Sequence, residues 1–345
     1  MTSWRDLLRH RLFWPIVALV AMLVADTVKV HTFLKIRVQD GHLYGALIDI
    51  VRNAAPLTLV ALGMTLVIAT RGIDLSVGAV LAISGAVACS YIADSGDPTS
   101  VGTVLVASLI ALVLALVLGV WNGFLVSVLG IQPIIATLIL MTAGRGIAML
   151  ITGGMITTIN SPPFKQLGSG FWLAIPVATI IAGTIFLLVA VLTRRTALGM
   201  LIESVGINPE ASRLSGVRSR TIIWTVYAAC GLFAGIAGLI ASSNVMAADA
   251  NNAGLFIELD AILAVVIGGT SLAGGKFYLS GTLVGALVIT TLTLTVTVQG
   301  ISPSVTPLFK AMVVIAICLL QAPVVQRAFA KRRAAAPAVP AQAGV

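Results

Sequence analysis

The sequence predicts an all-α polytopic membrane protein, with about ten transmembrane helices and both termini cytoplasmic. Three observations carry this expectation. The 345-residue chain is 59% hydrophobic and only 10% charged, against about 25% charged in an ordinary soluble domain. So few charges could not cover a soluble surface of this size, and the mean hydropathy of +1.08 agrees. Apolar runs near the roughly 20 residues that a spanning helix needs recur along nearly the whole chain. A soluble enzyme, a disordered chain and a disulfide scaffold are all excluded.

Taken in order, the first element is the apolar run from Leu12 to Val28, preceded by Arg5, Arg9 and Arg11. It has the shape of a signal peptide but no clean small-residue cleavage site, so it reads as an uncleaved first span. Nine more runs follow at 47–70, 73–93, 101–128, 132–152, 171–192, 221–243, 257–273, 278–298 and 304–326. The connections set the orientation. Arg194, Arg195, Arg213, Arg218 and Arg220 crowd the loop after the sixth run, and Arg327, Lys331, Arg332 and Arg333 follow the last. Basic loops stay cytoplasmic, and with ten spans both clusters fall on the side of the amino terminus. Asp94, Asp97 and Asp249 fall opposite, while Lys29, Lys35 and Arg37 run against the rule. The net charge of +9 therefore reflects membrane orientation, and no nucleic-acid partner is expected. The chain divides into a cytoplasmic segment 1–11, a transmembrane domain 12–326 that includes a cytoplasmic loop 193–220, and a basic tail 327–345 of disordered composition.

Within the spans, Gly119/Gly123, Gly231/Gly235 and Gly281/Gly285 form GxxxG pairs, which in lipid mark close helix contacts. Cys89, Cys230 and Cys318 lie singly in apolar runs and read as small buried hydrophobes. No catalytic, cofactor or metal site is expected. His10, His31 and His42 have neither metal-ligand nor catalytic spacing. GGTSLAGGK at 268–276 fails as a phosphate loop, because Thr270 stands where glycine and Phe277 where serine or threonine is required. It reads as a flexible turn.

Three segments carry a signal. In Arg71-Gly-Ile-Asp-Leu-Ser-Val-Gly78, Gly72 permits a sharp reversal and Asp74 or Ser76 can cap the next helix. The functional reading of this segment is a break that lines a path, since irregular backbone in a membrane must border protein or a cavity. In the loop 193–216, Asn208 and Pro209 start a short helix with proline in the first turn. Glu210 complements its dipole and Gly216 ends it. Ala211 and Leu214 then share one side of a docking knob. In 249–263, Asp249, Asn251 and Asn252 form an external polar cluster before a helix opened by Glu258 and Asp260. Amides both donate and accept, which suits a polyhydroxylated solute. Asn122 and Gln132, at the ends of spans four and five, suit it equally.

GIDLSVG at 72–78, QPIIATL at 132–138, GINPEASRLSGV at 206–217 and ELDAILAVVIGGTSLAGGKF at 258–277 resemble the permease subunits of ribose-type sugar ATP-binding-cassette importers. The likeness runs in order from Asp49 to Lys310. Within that family, DGHLYGALIDI, NSPPF and ADANNAGLFIELDAI are most similar to the galactofuranose importer permeases. The resemblance implies the ten-helix fold of vitamin B12-class importers in the bacterial inner membrane. It implies a second permease subunit, cytoplasmic ATPase cassettes and a periplasmic sugar-binding protein as partners. It also implies a coupling segment at 193–216, where Arg195, Asn208, Pro209, Glu210, Ala211 and Leu214 meet the cassette. Asp74, Ser76, Asn122, Gln132, Asp249, Asn251 and Asn252 are the translocation-path candidates. The rival expectation is an ion-coupled secondary sugar carrier, whose spans would hold essential ionisable groups.

Overall fold

The computed structural model describes residues 11–39 and 41–321. The expected amino-terminal segment, apart from Arg11, and the expected tail 327–345 lie outside the described residues. Thirteen α-helices and one 3-10 turn (Pro303–Val305) are found among the described residues. The α-helices are α1 (Phe13–Lys29), α2 (Ala46–Ala69), α3 (Val77–Ala93), α4 (Val101–Ser127), α5 (Pro133–Ile151), α6 (Pro162–Ser169) and α7 (Val177–Arg195). There follow α8 (Ala197–Ile207), α9 (Pro209–Leu214), α10 (Ser219–Val245), α11 (Ile257–Ile267), α12 (Leu279–Val298) and α13 (Thr306–Gln321). Three two-stranded antiparallel ribbons complete the fold. They are β1 (Arg37–Gln39) with β2 (His42–Tyr44), β3 (Thr157–Thr158) with β6 (Ala247–Ala248), and β4 (Phe171–Trp172) with β5 (Ile175–Pro176).

Six of these helices, α2, α4, α5, α7, α10 and α12, are long and apolar enough to cross a membrane. The chain is thus a polytopic helical protein. Helix α2 is its axis. From Leu57 to Ala69 every side chain of α2 is buried, and it packs among α7, α10, α11 and α12. The faces of α4 and α7 turned away from the core carry Leu105, Leu109, Val113, Leu187 and Leu188, all exposed. This is the inversion expected where lipid, not water, is the solvent.

All three GxxxG pairs sit at helix contacts. A Cβ on Gly119 would lie 2.6 Å from the Tyr227 carbonyl oxygen, and one on Gly231 would lie 2.7 Å from that of Ala115. On α12, Gly281 and Gly285 press on the backbones of Gly268 and Ala264. Close backbone approach gives α4–α10 and α11–α12 their dispersion contact where lipid supplies no hydrophobic drive.

Helix α10, 27 residues and so about 40 Å long, serves as a depth gauge. Gly72 abuts Tyr227, about two turns into α10, and Gly238 abuts the Leu81 carbonyl about five turns in. Helix α3 therefore starts near the middle of the bundle. Residues 70–76 climb to it as non-helical backbone. Gly78 in turn faces Gly254 and Glu258, so α11 starts at the same middle level. With 11 residues it is about 16 Å long, half of the ~30 Å hydrocarbon thickness. The run 257–273 expected as a full span is thus a half-helix followed by a glycine turn. Residues 249–256 cover the other half of that depth without helix. The segment 268–276 forms a turn, with Gly269, Gly274 and Gly275 all at positive φ, and the Gly275 amide donates to the Ala69 carbonyl at 2.9 Å.

Candidate functional site

The first group surrounds the break before α3. The left-handed residue is Arg71, φ 65°, and not Gly72, as the sequence led us to expect. Gly72 is needed for space, because a Cβ there would lie 2.5 Å from the Tyr227 hydroxyl. The Ile73 carbonyl, freed from any helix, accepts from Thr137 Oγ1 at 3.3 Å and Tyr227 Oη at 3.5 Å. Asp74 Oδ1 accepts from the Ser76 amide at 3.0 Å and its hydroxyl at 2.7 Å. Asn122 Nδ2 donates to Ser76 Oγ at 2.8 Å and lies 3.5 Å from Asp74 Oδ1. Ser76 occupies the N-cap of α3 but makes no capping bond, since its hydroxyl is committed to Asp74. All three side chains are at most 1% exposed. They form a relay from Asn122 through Ser76 to the carboxylate, pinning α4 to the break.

The second group is the non-helical segment before α11. Asp249 accepts from the amides of Asn251 and Asn252 through Oδ1, and from Asn252 Nδ2 at 2.8 Å through Oδ2. Asn251 and Asn252 are exposed. The segment is held from the side by Arg145 of α5, which donates to the carbonyls of Ala250 at 3.0 Å and Ala253 at 2.6 Å. Arg145 is a charged residue deep in the apolar run 132–152 and is not among the site residues expected from the sequence. That isolation was the signal, because a charged side chain among spans needs partners. Gln132 joins neither group. It is exposed at the N-cap of α5 and makes no capping bond.

The third group lies at the arginine-rich end, where α7 leads through Arg195 into α8 and α9. Helix α8 is an addition to the expected loop. Thr196 caps it and a Cβ at its Gly206 would strike the Gly275 amide at 2.6 Å. Helix α9 follows the expectation closely. Asn208 Oδ1 accepts from the Glu210 and Ala211 amides at 3.1 and 3.0 Å, and Pro209 occupies the first turn. Gly216 takes a φ of 86° just beyond the helix. Glu210 and Arg213 pair across one turn with a forked bond. The Arg213 fork holds the Glu210 carboxyl below the usual glutamate range. Ala211 and Leu214 are exposed, Leu214 at 77%. Beside them lies a cavity of about 270 Å³ lined by Ile207, Asn208, Ala211, Ser215 and Val217. A short, rigidly capped helix with an apolar tip beside a hollow is the shape of a docking element.

The family described as branched-chain amino acid transport system / permease component matches residues 46–318, a stretch that contains all three groups. The chain belongs to this permease family. The galactofuranose transporter permease protein YtfT of Escherichia coli is 48% identical over 91% of this chain and 92% of its own length. The fructose import permease protein FruF of Bifidobacterium longum is 46% identical over 92% and 90%. The ribose import permease protein RbsC of Escherichia coli is 39% identical over 79% and 84%. No solved structure matches. As a permease of this family, the chain puts its buried polar groups at the breaks of its helices and its docking-shaped helix at one end.

Proposed function

We propose that the chain is the membrane-spanning permease of a sugar ATP-binding-cassette importer in the bacterial inner membrane, moving a monosaccharide of the galactofuranose or ribose kind. The observation that carries this reading is the extent of the likeness. Relatives named for galactofuranose, fructose and ribose match along at least four-fifths of their own length. The fold reading is a ten-span bundle of the vitamin B12-importer kind with both termini cytoplasmic. Helices α1, α3, the α11 half-helix and α13 join the six long helices. Two such permeases enclose the path. ATP is hydrolysed by separate cassettes, and a periplasmic binding protein delivers the sugar.

In this reading α9 is the coupling helix. Asn208 and Pro209 fix its start, and the Glu210–Arg213 pair stiffens it. Ala211 and Leu214 insert into the cassette, with Arg195 beside them. Cassette closure pushes α9, and α8 carries the push to the break at Arg71, whose guanidinium donates to the Ile207 carbonyl. Movement there shifts α3, and with it the Asp74–Ser76–Asn122 relay. On the far side, Asp249, Asn251 and Asn252 present polar groups to the incoming sugar, while Gln132, at the start of α5, stands at the arginine-rich end of the path. Ala211→Arg and Glu210→Ala test the coupling role. Sugar uptake should fall in both while the permease still inserts and folds. Uptake and cassette assembly at wild-type level in both variants would remove the assignment. Asn251→Ala with Asn252→Ala should slow uptake and leave cassette assembly intact.

A further inference from the structure

We propose that a cavity between α2, α11, α12 and α13, with polar side chains on part of its wall, is a binding site for the transported sugar within the permease itself. This proposal rests on the sugar-permease reading above. The cavity is about 420 Å³, within the range of about 300–1,000 Å³ typical of small-molecule sites. It is separate from the three groups described.

Beside apolar residues such as Leu57, Ile289 and Leu294, its lining holds six side chains that can hydrogen-bond a sugar: Asn53, Asp260, Thr290, Thr293, Thr297 and Lys310. Thr290, Thr293 and Thr297 fall at i, i+3 and i+7, so one face of α12 carries a stripe of hydroxyls into the cavity. Thr293 and Thr297 are exposed, and their hydroxyls donate back to the carbonyls of Ile289 and Thr293. Each oxygen keeps acceptor capacity toward the cavity. Asn53 of α2 adds an amide, able to donate and accept. Pro56, also in the lining, has no N–H to offer the carbonyl one turn before it.

Lys310 Nζ bonds Asp260 Oδ2 at 2.6 Å, with side chains 17% and 22% exposed. An ammonium has three donors and a carboxylate two oxygens, so the pair keeps unused donors and an unused acceptor on the cavity wall. The pair carries no net charge. A neutral polyhydroxylated ligand can bridge it, whereas a free anion or cation must compete with the partner already in place. Ionisable side chains among spans face a bundle interior or a water-filled cavity, and this pair does so at the first turn of the α11 half-helix. The site thus runs from the middle level of the bundle, where α11 begins, toward the end where α2 starts and α12 finishes.

The test uses Thr293→Cys in a background with Cys89, Cys230 and Cys318 replaced by Ala, probed with a small membrane-impermeant thiosulfonate. D-ribose, D-fructose and D-galactose are added separately to the purified permease in lipid nanodiscs. The site predicts that at least one sugar slows labelling several-fold and saturably. Asp260→Asn should weaken that protection, and exchanging the pair as Asp260→Lys with Lys310→Asp should restore part of it. Thr293→Trp, which fills the cavity and spares the ion pair, should abolish uptake in the reconstituted complex while binding-protein-stimulated ATP hydrolysis persists. Labelling indifferent to all three sugars, or blocked by lipid alone whether or not sugar is present, would overturn the site. Wild-type uptake by Thr293→Trp would do the same. Protection without any ATP-driven uptake by the wild-type complex would retain the site and fault the importer reading instead.

Discussion

At the scale of single residues, the chemistry is concentrated in buried polar side chains that hold broken backbone in place. Ser76 is the middle member of its relay. Ser76→Ala leaves Asp74 with one donor fewer and Asn122 Nδ2 without its short bond. Each unmet buried group costs about 1–3 kcal/mol, so the variant should unfold in detergent at visibly lower temperature. A transition unchanged from wild type would show that the relay is not structural. Arg145→Ala frees the Ala250 and Ala253 carbonyls. The segment 249–256 should then become more accessible, read as faster labelling of a cysteine at Asn251 in Arg145→Ala than in the parent. Equal rates would remove Arg145 from its holding role. The Glu210–Arg213 pair has a pH signature. The Glu210 carboxyl is depressed by the Arg213 fork, so the pair is intact above the ordinary glutamate value of about 4.3 and lost only as pH falls through the lower value in the fold. Cassette binding should therefore stay flat from neutral pH down to the ordinary carboxylate range. A loss between neutrality and that range would point to another group. Of these residues, Asn208, Pro209 and Glu210 were legible in the sequence because capping is local. The Asn122–Ser76 bond joins residues 46 positions apart and leaves no local pattern.

Elements show the same division. The α4–α10 contact was legible as GxxxG, because small residues at one-turn spacing have a direct steric reading. Gly231→Leu should disrupt it, since a Cβ there would lie 2.7 Å from the Ala115 carbonyl oxygen. Overpacking costs about 1–3 kcal/mol. Gly183→Leu, where nothing lies within 4 Å of a built Cβ, is the matched control and should stay within about 0.5 kcal/mol of wild type. Similar losses in both variants would mean that glycine content, not the contact, matters. Helix α8 was missed because its eleven residues are too short for a span and were assigned to a loop. The half-helix α11 was missed for the opposite reason. Its apolar run continues through 273 in composition, while Gly268 and Gly269 end the helix by geometry.

For the whole molecule, membrane residence was legible from composition alone, and permease membership from motifs spread along the chain. The depth at which α3 and α11 begin was not, because hydropathy counts apolar residues without knowing where in the bilayer they sit. Those two mid-level helix starts, with Gly78 against Gly254 and Glu258, give the bundle two broken elements that face each other. Helix α9 and the break at Arg71 connect them to one end of the molecule. In the proposed function this machine is driven from that end by a separate ATPase. The most direct test is sugar uptake by proteoliposomes holding the permease, its cassettes and the binding protein, with ATP and with ion gradients supplied separately. Uptake that needs ATP, cassettes and binding protein together, and ignores ion gradients, is the predicted result. Uptake by the permease alone on an ion gradient would contradict it and establish the secondary-carrier alternative.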